Sequence, residues 1–321
     1  MASFGDLNRV NTNIQSLDSQ LSLNKINKQM AENQLKMSTG QRINRAEDDS
    51  AGFSIATKLR SRIGGLNQAM QNVGDAKSVL NIAESSFGSI MDNLVEMKGL
   101  ATQAANDTLG DDERAFIGDQ LKALGDDINN IADQTVYQDY SLLSGDNNDD
   151  DTAIKTGSTT LTFQVGERAS DTIEAELNAV NVATLFADDP TAADNTLGTA
   201  GGNISVSAAT ADKGGELDFA AAATANSGDY RAFITEVDDA ITKMSKNVND
   251  IGITQSSLSV REQTLSESIS ANESAKSRIM DTDFAKAQSE SVRLQILQQT
   301  ATSSLAQANN GPQSVLGFIG G

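Results

Sequence analysis

From Ile55 onward one apolar position returns every seventh residue, as Leu59, Leu66, Val73, Leu80, Phe87 and Leu94. Ile63, Met70 and Met91 form a second column, which Lys77 and Glu84 interrupt. Seven-residue recurrence is what a helix needs when it packs on other helices along its whole length. Sustained over about forty residues, it gives a helix of about 60 Å at the standard rise. The chain is therefore expected to form a rod.

The same logic extends on both sides. Asn106 to Gly110 reads as a turn, and Asp111, Asp112 and Glu113 place acid at the start of the next helix, where the backbone dipole favours it. That helix carries Ile117, Leu121, Leu124, Ile128 and Ile131. Its short connection predicts an antiparallel neighbour for the long helix. Val136 to Leu143 is short and mixed, and reads as a strand or hairpin arm. Helical spacing resumes with Phe233, Val237, Ile241, Met244, Val248, Ile251, Leu258, Leu265 and Ile269, running on through Gln255 and Glu262. Ser266 to Lys276 is polar and predicts a connector.

The two ends differ from the rods. Leu7, Val10, Ile14, Leu17 and Leu21 follow a 3-4-3-4 spacing, after which the stripe shifts to Leu23, Ile26, Met30 and Met37. Met37 to Arg45 reads as a connector. At the other end, Leu294 to Gly321 holds no charged side chain. Leu294, Ile296, Leu297, Leu305 and Leu316 are set there among Gln, Asn, Ser, Thr and Ala, and the spacing suits a helix until Gly311-Pro312 interrupts it. The segment is too neutral for an exposed face, yet too polar for a membrane span of about twenty apolar residues. Both ends are expected to be assembly surfaces, satisfied against copies of the chain or a partner helix.

Residues 145–228 interrupt this helical scheme. They hold 14 acids and 3 bases, over half of the net charge of −20. Leu161 to Val165 and Ile204 to Ser207 alternate like half-buried strands. A small β-rich, solvent-facing insert is expected. Asp146, Asn148 and Asp150 resemble the start of a calcium loop, but Asp151 stands where the turn needs Gly and Gly157 where Glu should close the site. A solvated acidic loop is the default reading. The acids of Ala46 to Gly52 are similarly read as helix caps or a packed turn rather than a metal site.

The totals exclude several functions. Strong negative charge disfavours nucleic acid and anionic membrane. Without His or Cys the chain lacks the commonest general base, the commonest metal ligand and any thiol chemistry. No catalytic residue, metal or cofactor is expected. Met1 to Arg9 has neither a basic nor an apolar signal region, which predicts export by a specialised route or retention in the cytoplasm. The expected architecture is mainly α, an elongated coiled-coil-like helical bundle with a β-hairpin and a small β-rich surface insert. Its expected segments are a tail helix and connector (1–45), a rod region (46–166), an acidic surface domain (167–228), a rod helix (229–272) and a tail helix (273–321).

Several runs resemble bacterial flagellins. At the N-terminal end these are Asn11 to Ile14, Leu35 to Gly52 with its Met-Ser-Thr-Gly-Gln-Arg-Ile-Asn-Arg core, and Leu66 to Asn72. Ser277 to Ala285, Gln295 to Asn309 and Phe163 to Gly166 complete the set, so the resemblance covers about residues 1–166 and 229–321. It implies a filament subunit whose paired terminal helices form an inner tube around a channel, with rod helices outside and residues near 170–228 on the filament surface. It further implies unfolded export through the flagellar secretion apparatus and an extracellular location, where a chain without Cys avoids disulfides. Implied partners are further copies of the chain, an export chaperone on the C-terminal helix, a filament cap and hook–filament junction proteins. An innate immune receptor that recognises many flagellins implies a contact segment matching Leu94 to Asn106, including Leu94, Glu96 and Leu100, with Gln120 nearby. Glu96 replaces the Arg of strongly recognised members and Gln120 their acid, so weak recognition is expected. A hook–filament junction protein is a second structural reading, and a secreted adhesin displaying the acidic insert a third. The zinc peptidase insert of some flagellins needs a His-Glu-x-x-His motif, which a chain without His cannot hold.

Overall fold

The computed structural model describes residues 12–145, 157–187, 195–196, 204–207, 215–219 and 226–319, with side chains described no further than residue 310. In chain order the elements are α1 (Ile14–Thr39), α2 (Ser50–Ala104), α3 (Asp111–Gln134), β1 (Val136–Tyr137), β2 (Tyr140–Ser141), β3 (Ser158–Gln164), β4 (Thr172–Asn178) and α4 (Val182–Phe186). There follow β5 (Asn195–Thr196), β6 (Ser205–Val206), β7 (Leu217–Asp218), α5 (Ser227–Met280) and α6 (Phe284–Ile319). Two compact units divide the chain, one of residues 65–268 and one of residues 1–64 with 269–321. The Leu7 and Val10 stripe and the calcium-like Asp146–Asp150 run lie outside the described residues.

In the unit of residues 65–268, α2 supplies two buried columns. The first is Leu66, Val73, Leu80, Phe87 and Leu94, as its spacing predicted. The second is Ala69, Ala76, Ala83, Ile90, Met97 and Ala104, one residue earlier than the expected column. Met70 and Met91 are only half-buried. The reason is electrostatic as well as steric. Lys77 and Glu84, which interrupt the expected column, flank the seam and reach across it to α5. The Lys77 ammonium lies 2.8 Å from the Glu262 carboxylate, and the Gln255 amide donates to Glu84 at 2.8 Å. The alanine column lets backbones approach closely, while the charged pair stays at the wet edge, where it fixes register more than stability.

α3 runs back along α2: Arg114 Nε donates to the Ala104 carbonyl at 3.2 Å, and Thr135 Oγ1 to Ser86 Oγ at 2.9 Å. Buried Arg114 also donates to the Asn106 carbonyl at 3.1 Å, so one guanidinium satisfies carbonyls left open where α2 ends. The expected hairpin forms at β1 and β2, and both residues of its turn, Gln138 and Asp139, have positive φ (49° and 65°). That is the combination a two-residue turn of right-twisted strands demands.

β3 and β4 form one antiparallel hairpin, so the domain boundary expected at 166/167 falls inside it. The described insert is not simply solvent-facing. Val180, Val182, Ile204, Val206 and Leu217 are buried, and Phe186 and Phe219 pack around Phe233 of α5 with ring centroids 5.6 Å away in each case. Asn129 of α3 ties two parts of the insert together. It donates to the Gly215 carbonyl at 2.7 Å and accepts from the Val182 N–H at 3.0 Å.

Two helices outrun their expected ends. α5 continues through the polar 266–276 stretch to Met280, and the break comes at Asp281–Asp283 instead. α6 continues through Gly311-Pro312 to Ile319.

Candidate assembly surface

α1 and α6 lie antiparallel within the unit of residues 1–64 and 269–321. Each leaves a connector pinned by hydrogen bonds. Gly40 closes α1 in the left-handed region (φ 71°), and Gln41 bridges Asp281. Arg42 N–H donates to the Met280 carbonyl at 2.6 Å, and Thr282 N–H to the Gly40 carbonyl at 2.9 Å. Of the Ala46 to Gly52 acids, Asp49 caps α2, Asp48 ties the turn before it, and Glu47 pairs with Arg45. Asp49 accepts from the Ala51 and Gly52 N–H groups at 3.1 and 3.0 Å, and Asp48 from Asn44 and Arg45. The Arg45 and then the Asn44 backbone donors hold the Asp48 carboxyl below its usual range. Among the described residues no group of three or more acids could hold a metal. No described helix is long and apolar enough to cross a membrane.

The helix pair sorts the expected interface residues into two sets. On α6 the inward seam is Ala287, Ser291, Leu294, Gln298, Ala301, Leu305 and Ala308, again alternating by three and four. Leu294 is 1% exposed, so it is consumed within the chain, and Leu305, about three turns further along the same seam, is half-buried. Leu17 (56%), Leu21 (70%), Ile296 (58%) and Leu297 (40%) remain open. Val292 (47%) and Leu35 (37%), outside the expected interface set, join them. On α1 the inward face is Ser16, Ser19, Leu23, Ile26, Met30, Asn33 and Met37, and Ile14 is half-buried at its start. No residue of α1 is fully buried, because one partner helix cannot close a seam from both sides. Leu316 lies on the part of α6 whose side chains are not described.

The polar residues of the pair serve register. Asn27 accepts from Gln298 Nε2 at 2.8 Å, and Ser16 Oγ donates to Asn309 at 2.7 Å. One flank of the pair is a groove of about 320 Å³ lined by Ser19, Ser22, Ile26, Leu297, Thr300 and Ser304, with Asp18 as its single charge. Charge gathers instead near the connectors. There Glu290 pairs with Arg293, whose hydrogen bond holds the carboxyl below its usual range.

The segment matched to immune recognition lies in the other unit. Leu94 is 0% exposed and cannot touch a partner directly. Glu96 and Gln120 are exposed and Leu100 half-buried. Val95 and Phe116, exposed at 58% and 68%, are the large apolar groups near them. Phe116 precedes the buried Ile117 and stands outside the apolar spacing of α3.

Comparison with known proteins identifies the family. Residues 10–148 match the family model of the bacterial flagellin N-terminal helical region, and residues 234–319 that of the C-terminal helical region. The flagellin of Bacillus subtilis strain 168 is 34% identical over 97% of this chain and 99% of its own length. The flagellar filament 33 kDa core protein of Treponema phagedenis is 28% identical over 97% of this chain and 99% of its own. Among solved structures, a putative flagellar hook-associated protein from Vibrio parahaemolyticus shares the fold, with a TM-score of 0.56, 15% identity, and coverage of 73% of this chain and 100% of its own. With both terminal helical regions present in order around a divergent middle, the chain belongs to the bacterial flagellins and is a structural subunit of the flagellar filament.

Proposed function

We propose that the subunit adds to the filament by burying the outer faces of its α1–α6 pair against neighbouring copies. The observation that carries this is the open set Leu17, Leu21, Ile296 and Leu297, displayed on helices whose inward seam is already occupied. Each such side chain gains about 1.5–3 kcal/mol when fully buried, so four partly open ones leave several kcal/mol to be gained on assembly. The pair also offers two unlike surfaces, apolar knobs and a hydroxyl-rimmed groove. Contacts between unlike surfaces join copies head to tail, and they propagate into a helical polymer when the rotation between copies does not close a ring. The uncharged polar residues of Leu294 to Asn310 suit the wall of a water-filled channel. Export proceeds unfolded through the flagellar secretion apparatus to an extracellular filament. The export chaperone binds the C-terminal helix, a cap retains subunits at the tip, and junction proteins join the filament to the hook. Seeding purified chain with filament fragments and sedimenting tests the assembly reading. Pelletable filaments are expected, and a persistent monomer at high concentration would refute it.

Recognition by the innate immune receptor is proposed to be weak. Exposed Glu96 and Gln120 stand where strongly recognised members carry an Arg and an acid, reversing one charge and removing another. In a cell reporter assay, at least a tenfold lower potency than strongly recognised flagellins is expected, on the scale of about 1.4 kcal/mol of lost interaction. Equal potency would defeat the proposal.

A further inference from the structure

Pro312 lies inside α6, and it is the residue whose N–H would otherwise serve the Ala308 carbonyl four positions back. Proline has no N–H. Ala308 is 4% exposed, so its carbonyl has little access to water, and buried backbone acceptors rarely stay unmatched. The donor comes from the other helix: Asn13 Nδ2 lies 2.8 Å from the Ala308 carbonyl. The same side chain is the N-cap of α1, its Oδ1 accepting from the Ser16 N–H at 3.0 Å. Of the good capping residues, only Asn carries both an acceptor for the cap and an amide donor able to reach a neighbouring helix.

A second amide shows what is special about this contact. Asn33 Nδ2 donates to the Ala287 carbonyl at 2.8 Å, but the residue four after Ala287 is Ser291, which has its own N–H. Asn33 adds a bond to a carbonyl that already has a helical donor. Asn13 answers one whose i+4 donor is removed by proline. A slip of the helices by one turn would bring Asn13 to a carbonyl already served and strand that of Ala308.

We infer that Asn13 and Pro312 together set the register of the α1–α6 pair, and with it the surface presented to neighbouring subunits. The second half rests on the assembly reading above; the first does not. Hydrogen exchange on the unpolymerised full-length chain tests the pair directly. Asn13→Ser keeps a neutral cap but is too short to reach Ala308. It should speed exchange of the Leu17 to Leu21 amides about fivefold, the usual worth of one hydrogen bond. In a Pro312→Ala background, where residue 312 regains its N–H, the same substitution should change exchange less than twofold. Asn13→Asp, which caps well but cannot donate when ionised, should follow the same pattern. Asn33→Ser is the control, with an effect the same in both backgrounds. An equal effect of Asn13→Ser in both backgrounds, or no effect in either, would overturn the coupling. For the consequence, Asn13→Ser should raise the concentration needed for seeded polymerisation at least threefold, and Asn13→Ser with Pro312→Ala should restore it. Unchanged polymerisation by Asn13→Ser would refute that half while the exchange result stands.

Discussion

Replacing Leu297 by Asp is expected to abolish filament formation while leaving the isolated chain folded. Leu297 is 40% exposed at the groove beside α1, so in the lone subunit a carboxylate there stays hydrated and the seam of Leu294, Ala301 and Ala308 is untouched. In the filament the same carboxylate would be enclosed without a partner, since the groove holds no cation and already contains Asp18. Burial of an unpaired charge costs several kcal/mol even after relaxation. At about 1.4 kcal/mol per factor of ten, the concentration for assembly should rise on the order of 100-fold or more. Far-UV circular dichroism checks the first half and seeded sedimentation the second. Leu294→Asp provides the contrast: with 1% exposure it should loosen the α1–α6 pair in the lone chain as well. Normal filaments from Leu297→Asp would place the groove outside the interface.

The second large effect lies in the other unit. Phe233 is 0% exposed and meets Phe186 in a stack and Phe219 edge-on, while Phe219 stacks on Tyr230 at 6.0 Å. This cluster joins α5 to both α4 and the segment after β7. Phe233→Ala removes its centre and should destabilise the unit by about 3–5 kcal/mol. Urea unfolding should show a lower midpoint with an unchanged slope, as expected when stability alone changes. Phe116→Ala, at a side chain 68% exposed, should cost under about 0.5 kcal/mol. Equal effects of the two substitutions would mean that the insert is not packed on α5.

The contrast between Phe233 and Phe116 also shows what could be read from the sequence. Both lie in clear helical patterns, and periodicity placed α2, α3 and α5 with one inward column each, although on α3 Leu124 and Ile131 are half-buried while Gly125 and Ala132 fill the seam. It erred where small or polar residues occupy a seam. Met70 and Met91 drew the second column of α2 because they are large, whereas Ala69, Ala76 and Ala83 fill it. On α1 the Leu17 and Leu21 stripe was visible, but the inward face includes Ser16, Ser19 and Asn33, which a search for bulky apolar groups passes over. Leu17 and Leu21 proved to be the part of the stripe left open, while its continuation through Leu23, Ile26, Met30 and Met37 faces inward. Similarly, Gly311-Pro312 reads as a helix stop because local chemistry says so, and only the Asn13 amide, supplied across the pair, shows how the Ala308 carbonyl is served. The core under the insert was hidden by its Gly-, Ser- and Asp-rich surroundings. Val182, Phe186 and Leu217 acquire their meaning only from α3 and α5, which lie far away in sequence.

The absence of cysteine allows the central claim to be tested one side chain at a time. Leu17→Cys and Leu297→Cys each introduce a single thiol on the open face of the α1–α6 pair, and maleimide labelling can be timed on the lone chain and on filaments seeded from it. Rapid labelling of the lone chain and at least tenfold slower labelling in filaments are expected. A thiol in the filament that reacts as fast as in the lone chain would mean that this face stays wet on assembly, and that some other surface holds the polymer together.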